Sequence, residues 1–145
     1  SYRSINTDSL SRFAWKYDNT DEIKTVHATG AVDGGENVGG LVGKNDGKTA
    51  SSYATGAVDG DTTGGLVGDN SGTLEDTYWD NGTTNQNGAV GTGDDTGAEG
   101  FGDTTDASPA EEMIGEAAAG NMTGFDFDND WRTLTHPDDY PMLRR

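Results

Sequence analysis

The chain has no cysteine among its 145 residues, so neither disulfides nor thiolate metal sites are available to it. That absence alone does not fix a compartment. Hydrophobic residues make up only 30% of the sequence, against roughly 45–50% apolar in an average domain when Gly is included. The length suits one domain, but its core must be thin. No stretch approaches the roughly 18 apolar residues of a membrane-spanning helix, so direct membrane insertion is not expected. Positive charge is scarce: nine Lys and Arg stand against 26 Asp and Glu, giving a net charge of −17. Nucleic acid and anionic membrane surfaces are therefore repelled. The chain opens on Ser1 without a signal-peptide pattern, which reads as a processed mature protein or an excised piece of a longer one.

What is abundant is glycine, at 23 residues, together with aspartate, at 19 against seven glutamates. The acidity is uneven. Residues 1–27 carry four basic and four acidic groups, residues 28–107 two against fourteen, and residues 108–145 three against eight. Such a surface repels itself at low salt and is screened within roughly 3 Å at 1 M. Rich in Asp, Thr and Gly and poor in Lys, it looks like the surface of a halophile's protein. Calcium loading and ordinary acidic solubility are the alternatives.

Two passages nearly repeat each other: ATGAVDGGENVGGLVG from Ala28 to Gly43 and ATGAVDGDTTGGLVG from Ala54 to Gly68. Their starts lie 26 residues apart and their GGLVG cores 25 apart. The repeat core is Gly39, Gly40, Leu41, Val42 and Gly43, then Gly64, Gly65, Leu66, Val67 and Gly68. Repetition at this period implies stacked units that cannot bury their apolar faces alone. Asp33-Gly34-Gly35, Asp59-Gly60-Asp61, Asn45-Asp46-Gly47 and Asn70-Ser71-Gly72 supply the turns. Val38–Gly43 and Thr63–Gly68 read as strands, followed by strands at 50–54 and 73–79. Tyr53 and Tyr78 are again 25 apart, and His27 takes the corresponding place before the first copy, which predicts a stacked column of rings.

Residues 1–27 hold Phe13, Trp15 and Tyr17 in strand-like alternation and read as an N-terminal cap. Residues 28–80 form the two repeats, and 81–107 reads as a low-complexity solvated loop. Residues 108–145 are assigned a short helix and a cap. Ser108 and Glu111 make an S-x-x-E capping box, Pro109 fits the first turn, and Met113, Ile114, Ala117 and Ala118 share a face. Phe125, Phe127, Trp131 and the stretch 140–143 form an aromatic close, with Pro141 confining the last strand to an edge. The fold class is all-β: a short β-solenoid-like stack with one short helix and an aromatic C-terminal cap.

GGLVG, a short polar turn and then Ser52-Tyr53-Ala54-Thr55-Gly56 resemble the GLUG repeat, named for its Gly-Leu-x-Gly core. Tyr78-Trp79-Asp80, the Gly/Thr-rich stretch and Asn121 to Phe127 with Trp131 and Tyr140-Pro141 are similar to the usual ending of such arrays. The resemblance covers about residues 25–143 and implies a repeat module of secreted or surface-attached prokaryotic proteins, adhesins among them, with no catalytic residues to carry over. Typical members have longer arrays than the two copies visible here.

Catalytic signatures are missing. His27 and His136 have no helical H-x-x-x-H partner, and no G-x-S-x-G or phosphate-cradling motif occurs. Asp126, Asp128 and Asp130 alternate and could present three oxygens to calcium, or simply form a solvated strand face. Asn81 and Asn121 open glycosylation sequons. The sequence thus predicts a non-catalytic structural module of an extracellular, cell-surface or appendage protein from a halophile. Its partners would be proteins, through self-assembly or other surface subunits. The alternative is an adhesion module that recognises glycans or a cell surface, with Tyr53 and Tyr78 as an aromatic ladder.

Overall fold

Turns at Asp-Gly and Asn-containing sites interrupt the chain every few residues, so its strands are short and its ladders form between coils rather than within them. The computed structural model describes residues 5–6, 18–19, 22–134 and 139–144. The alternating Phe13, Trp15 and Tyr17 lie outside the described residues, as does His136. Strands β1 (Ile5–Asn6), β2 (Asp18–Asn19), β3 (Glu22–Lys24) and β4 (Val26–Ala28) precede the repeats. The first repeat coil is β5 (Val32–Asp33), β6 (Asn37–Gly39), β7 (Val42–Asn45) and β8 (Lys48–Ala54). The second is β9 (Val58–Asp59), β10 (Thr62–Gly64), β11 (Val67–Asn70) and β12 (Thr73–Asp80). Each strand pairs in parallel with its counterpart one coil away, giving a β-solenoid of about three turns.

The GGLVG phrase makes a corner, not the single strand expected over Val38–Gly43. The break falls at Gly40-Leu41, where the Leu41 and Val42 amides both donate to Leu66 O at 2.9 and 3.1 Å. A Cβ on Gly39 would collide with Val42 O, and one on Gly64 with Val67 O. Only glycine lets the backbone fold that tightly against itself. The corner aims Leu41, Val42, Leu66 and Val67 inward, all fully buried. Across the next corner Asn45 Nδ2 donates to Asn70 Oδ1 at 2.9 Å, and Asn70 Nδ2 to Asp94 O at 2.6 Å. Buried amides stacked one per coil satisfy each other.

A third coil follows where the sequence reads as a low-complexity loop. Helix α1 (Asn81–Thr84), β13 (Val90–Gly93) and β14 (Ala98–Phe101) continue both main ladders. β13 pairs with β11, setting Val90 beside Val67, and β14 pairs with β12, setting Glu99 beside Tyr78. Ala89 takes the Leu66 place: the amides of Leu66 and Val67 both donate to Ala89 O. Ala89 shares a buried cluster with the Trp79 ring, which packs close to Gly65 and Gly100.

The strands of the larger sheet bend at one column. Thr25, Ser51 and Asp76 have φ of +58°, +50° and +50°, and Gly97, next in register, has +93°. Left-handed φ in three non-glycine residues at one register position marks a corner imposed by the stack.

The C-terminal region differs from expectation in detail. Ser108 caps nothing: its amide donates to Asp106 Oδ1, a 3₁₀ turn occupies Glu111–Met113, and helix α2 (Ala117–Asn121) has no side-chain cap. Only Met113 and Ala118 of the expected helical face are buried; Ile114 is half-buried and Ala117 exposed. β15 (Trp131–Arg132) and β16 (Met142–Leu143) close the chain as an antiparallel pair.

Candidate functional site

Alternation along β4, β8 and β12 sends Ala28, Ala54 and Trp79 into the solenoid and His27, Tyr53 and Tyr78 out onto its flank. The ring column predicted from the 25-residue spacing is present in register: His27 lies beside Tyr53, and Tyr53 beside Tyr78. His27 stacks on Tyr53 with centroids 5.1 Å apart. The column does not face solvent. The C-terminal segment from Ala110 to Leu143 lies along it, and Tyr53 is only 1% exposed. Phe125 stacks on Trp131 at 4.5 Å and meets Tyr78 edge-on at 5.1 Å, while Trp131 reaches Tyr53 and His27.

Three polar side chains of the solenoid clasp this segment. Tyr53 Oη donates to Pro141 O at 2.6 Å, and Gly124 N donates to Tyr78 Oη at 2.8 Å. Asp80 is wholly buried; its Oδ1 accepts from Gly82 N and Thr83 N, its Oδ2 from Ala110 N and Tyr140 Oη, both at 2.7 Å. One carboxylate thus caps α1, starts the C-terminal segment and holds its end. All four donors are neutral. A buried carboxylate survives without a cation when its lone pairs are filled this way. Burial raises the hydroxyl pKa of Tyr53 and of Tyr78; at Tyr140 burial and the hydrogen bond to Asp80 act together in the same direction. Burial pushes His27 down to about 4, so its imidazole is neutral at pH 7. Among the described residues neither His27 nitrogen nor Trp131 Nε1 has a hydrogen-bond partner.

The expected calcium ligands form no strand. Residues 127–130 are a turn, and Asp126 caps it, accepting from the amides of Asp128 and Asn129 at 3.0 Å and from Asn129 Nδ2 at 2.8 Å. These bonds hold the Asp126 carboxyl below its ordinary pKa. Among the described residues no three acidic or histidine side chains come together as a metal-binding group. Asp128 and Asp130 thus lie in a turn and not along one strand face.

The sequon asparagines are both engaged. Asn81 Nδ2 donates to Gly102 O at 3.2 Å, with Oδ1 packed against Gly100. Asn121 Nδ2 donates to Glu112 O and Ala117 O. A glycan on either nitrogen would replace a bond that the fold uses. Among the described residues, one open depression of about 400 Å³ lies beside Asp103, Asp106 and Glu112, and another of about 320 Å³ between Arg132, Met142, Leu143 and Arg144. In the first, Asp103 and Asp106 cap local turns at Thr105 and Ser108.

Sequence reasoning found the column but not what covers it. Asp80 gave no signal beyond its place after Tyr78-Trp79. The Asn45–Asn70 ladder was readable, since the two turn asparagines keep the same 25-residue offset as the tyrosines.

Comparison with known proteins agrees with this architecture. The model of the GLUG motif matches residues 34–59, the stretch from the first Asp-Gly turn through β9. The chain is 43% identical over 125 residues to Halomucin of Haloquadratum walsbyi; the match takes in 86% of this chain and 1% of that protein. No solved structure matches the chain. The motif match, the relative and the coil-by-coil register agree: the chain is a GLUG-repeat protein.

Proposed function

We propose that the chain is a non-catalytic structural module of a cell-surface or extracellular protein that works in concentrated salt. The observation that carries this reading is the flank clasp. Tyr53, Tyr78 and Asp80, the polar side chains that the fold gathers in one place, bind the chain's own C-terminal segment. The result is a stiff coil stack with one side closed. Its acidic surface suits brine, where screening removes most self-repulsion. The likeness to Halomucin supports a surface setting, since that name couples salt with mucin, although this chain corresponds to a very small part of it.

The glycan-binding alternative through Tyr53 and Tyr78 would first require displacing the C-terminal segment, because both rings lie beneath it. Antibodies against this chain should label intact cells of the organism that encodes it, and external protease should remove the label. Labelling that appears only after lysis would overturn the surface assignment.

A further inference from the structure

Two Asn-Gly pairs occur in the chain, Asn81-Gly82 and Asn87-Gly88. In such a pair the glycine amide can attack the asparagine side-chain carbonyl, because no glycine side chain hinders the approach. The fold treats the two pairs differently. Asn81 opens α1, and its Nδ2 donates to Gly102 O. Gly82 is buried, its amide donates to Asp80 Oδ1 at 3.0 Å, and a Cβ on it would collide with Asp106 O. Attacking and attacked groups are both held there. Asn87, by contrast, is exposed and sits in a bend over residues 87–89. Among the described residues neither its side chain nor the Gly88 amide has a hydrogen-bond partner. The chain is tied down on either side of this free pair. Gln86 O accepts from Trp79 Nε1 and Gln86 Nε2 donates to Val58 O, both at 3.0 Å, while Gly88 O accepts from Gly65 N at 2.8 Å.

We propose that Asn87 is a site of self-modification, at which the chain converts its own asparagine through a succinimide ring. The Gly88 nitrogen gives up its proton and bonds to Asn87 Cγ. The Cγ–Nδ2 bond breaks, and ammonia leaves carrying that proton. Water then opens the ring at one of its two C–N bonds. Breaking the bond to Cγ leaves an ordinary aspartyl residue at position 87. Breaking the bond to the main-chain carbonyl carbon leaves an isoaspartyl residue, whose backbone runs through Cβ and Cγ. Water is the one co-reactant, and nothing is oxidised or reduced. Either product adds a negative charge to residues 81–107, which already hold five acidic groups and no basic one. The isoaspartyl product also lengthens the backbone by a methylene directly before Gly88 O and Ala89 O, the acceptors for the Gly65, Leu66 and Val67 amides. The change therefore falls on the joint that ties the third coil to the second. This site is independent of the surface assignment.

The test is peptide mass spectrometry on the folded chain, kept for weeks at mildly alkaline pH in about 3 M NaCl and sampled over time. Asn87 should convert about tenfold or more faster than Asn81, whose groups are held out of reach of each other. Aspartyl and isoaspartyl peptides should both form, each with one heavy oxygen when the water is enriched in that isotope. In guanidinium chloride the two rates should converge, since both pairs are then free. Gly88→Ala supplies the control, because a Cβ there meets nothing nearer than Val90 O at 3.4 Å. Its methyl group should slow conversion at Asn87 about tenfold by obstructing the attack, with the circular dichroism spectrum unchanged. Equal rates at Asn81 and Asn87 in the folded chain, or an Asn87 that converts only when unfolded, would overturn the site. Conversion untouched by Gly88→Ala, or giving the aspartyl peptide alone, would overturn attack by the Gly88 nitrogen.

Discussion

His27 is the residue on which acid acts. It is neutral, 4% exposed, and ringed by Tyr53 and Trp131, with neither nitrogen bonded among the described residues. Its folded value of about 4 lies below the ordinary 6.5, so the unfolded chain takes up its proton first. Its contribution to stability is fully present above pH 6.5 and is lost as pH falls from there through 4, to a total of about 3 kcal/mol. A His27→Phe variant should keep the ring stack, remove this slope between pH 6.5 and 4, and gain about 1–2 kcal/mol at pH 7 by removing two unsatisfied buried atoms. Urea denaturation at several pH values measures both effects; an unchanged slope would place the acid sensitivity elsewhere. The tyrosines act at the opposite end. With their pKa values raised, Tyr53 and Tyr140 remain protonated in the fold after their unfolded counterparts ionise, so stability falls as pH rises above about 10.

Among the elements, β12 and the turn after it hold the most together, because Asp80 joins α1, the start of the C-terminal segment and Tyr140. Asp80→Ala should cost about 3–5 kcal/mol, since it leaves buried donors without acceptors. The near-ultraviolet signal of the Trp131 cluster should fade before the far-ultraviolet strand signal. Simultaneous loss of both would mean that the coils cannot stand without the segment. The sequence showed β8 and β12 well, because Tyr53 and Tyr78 keep strict phase with the GGLVG cores. It hid β13 and β14 for a physical reason. There the Leu of GLVG has become Ala89, the spacing has shortened from 25 residues (Val42 to Val67) to 23 (Val67 to Val90), and α1 replaces a strand corner. What survives is Gly88-Ala89-Val90-Gly91, too short and small-sided a phrase to suggest a buried coil without the strands beside it. The strand expected over Asp126–Asp130 is a turn instead, because alternation alone cannot separate a strand from a capped turn. Asp126, two residues before Asp128 and three before Asn129, is in fact placed to accept from both amides.

For the whole molecule, salt is the controlling variable. A net charge of −17 over 145 residues must be compressed on folding, and the described ion pairs are few and half exposed, such as Lys48 with Glu75 at 3.1 Å. Melting temperature should therefore rise steadily from about 0.1 M to about 3 M NaCl, with most of the gain reached as the Debye length shrinks from ~10 to ~3 Å. A melting temperature independent of salt would show that self-repulsion is not what limits stability. The left-handed column of Thr25, Ser51, Asp76 and Gly97 carries a different consequence. Its members are separated by 26, 25 and then 21 residues, yet the strand pairs that flank them stay in register from coil to coil. Register is set at that bend, so the length of chain between successive bends is free to vary. The span containing α1 already differs from its equivalents in both length and kind of backbone. It is the place where foreign sequence could be spliced into the stack and displayed on its side while the coils above and below stay in step.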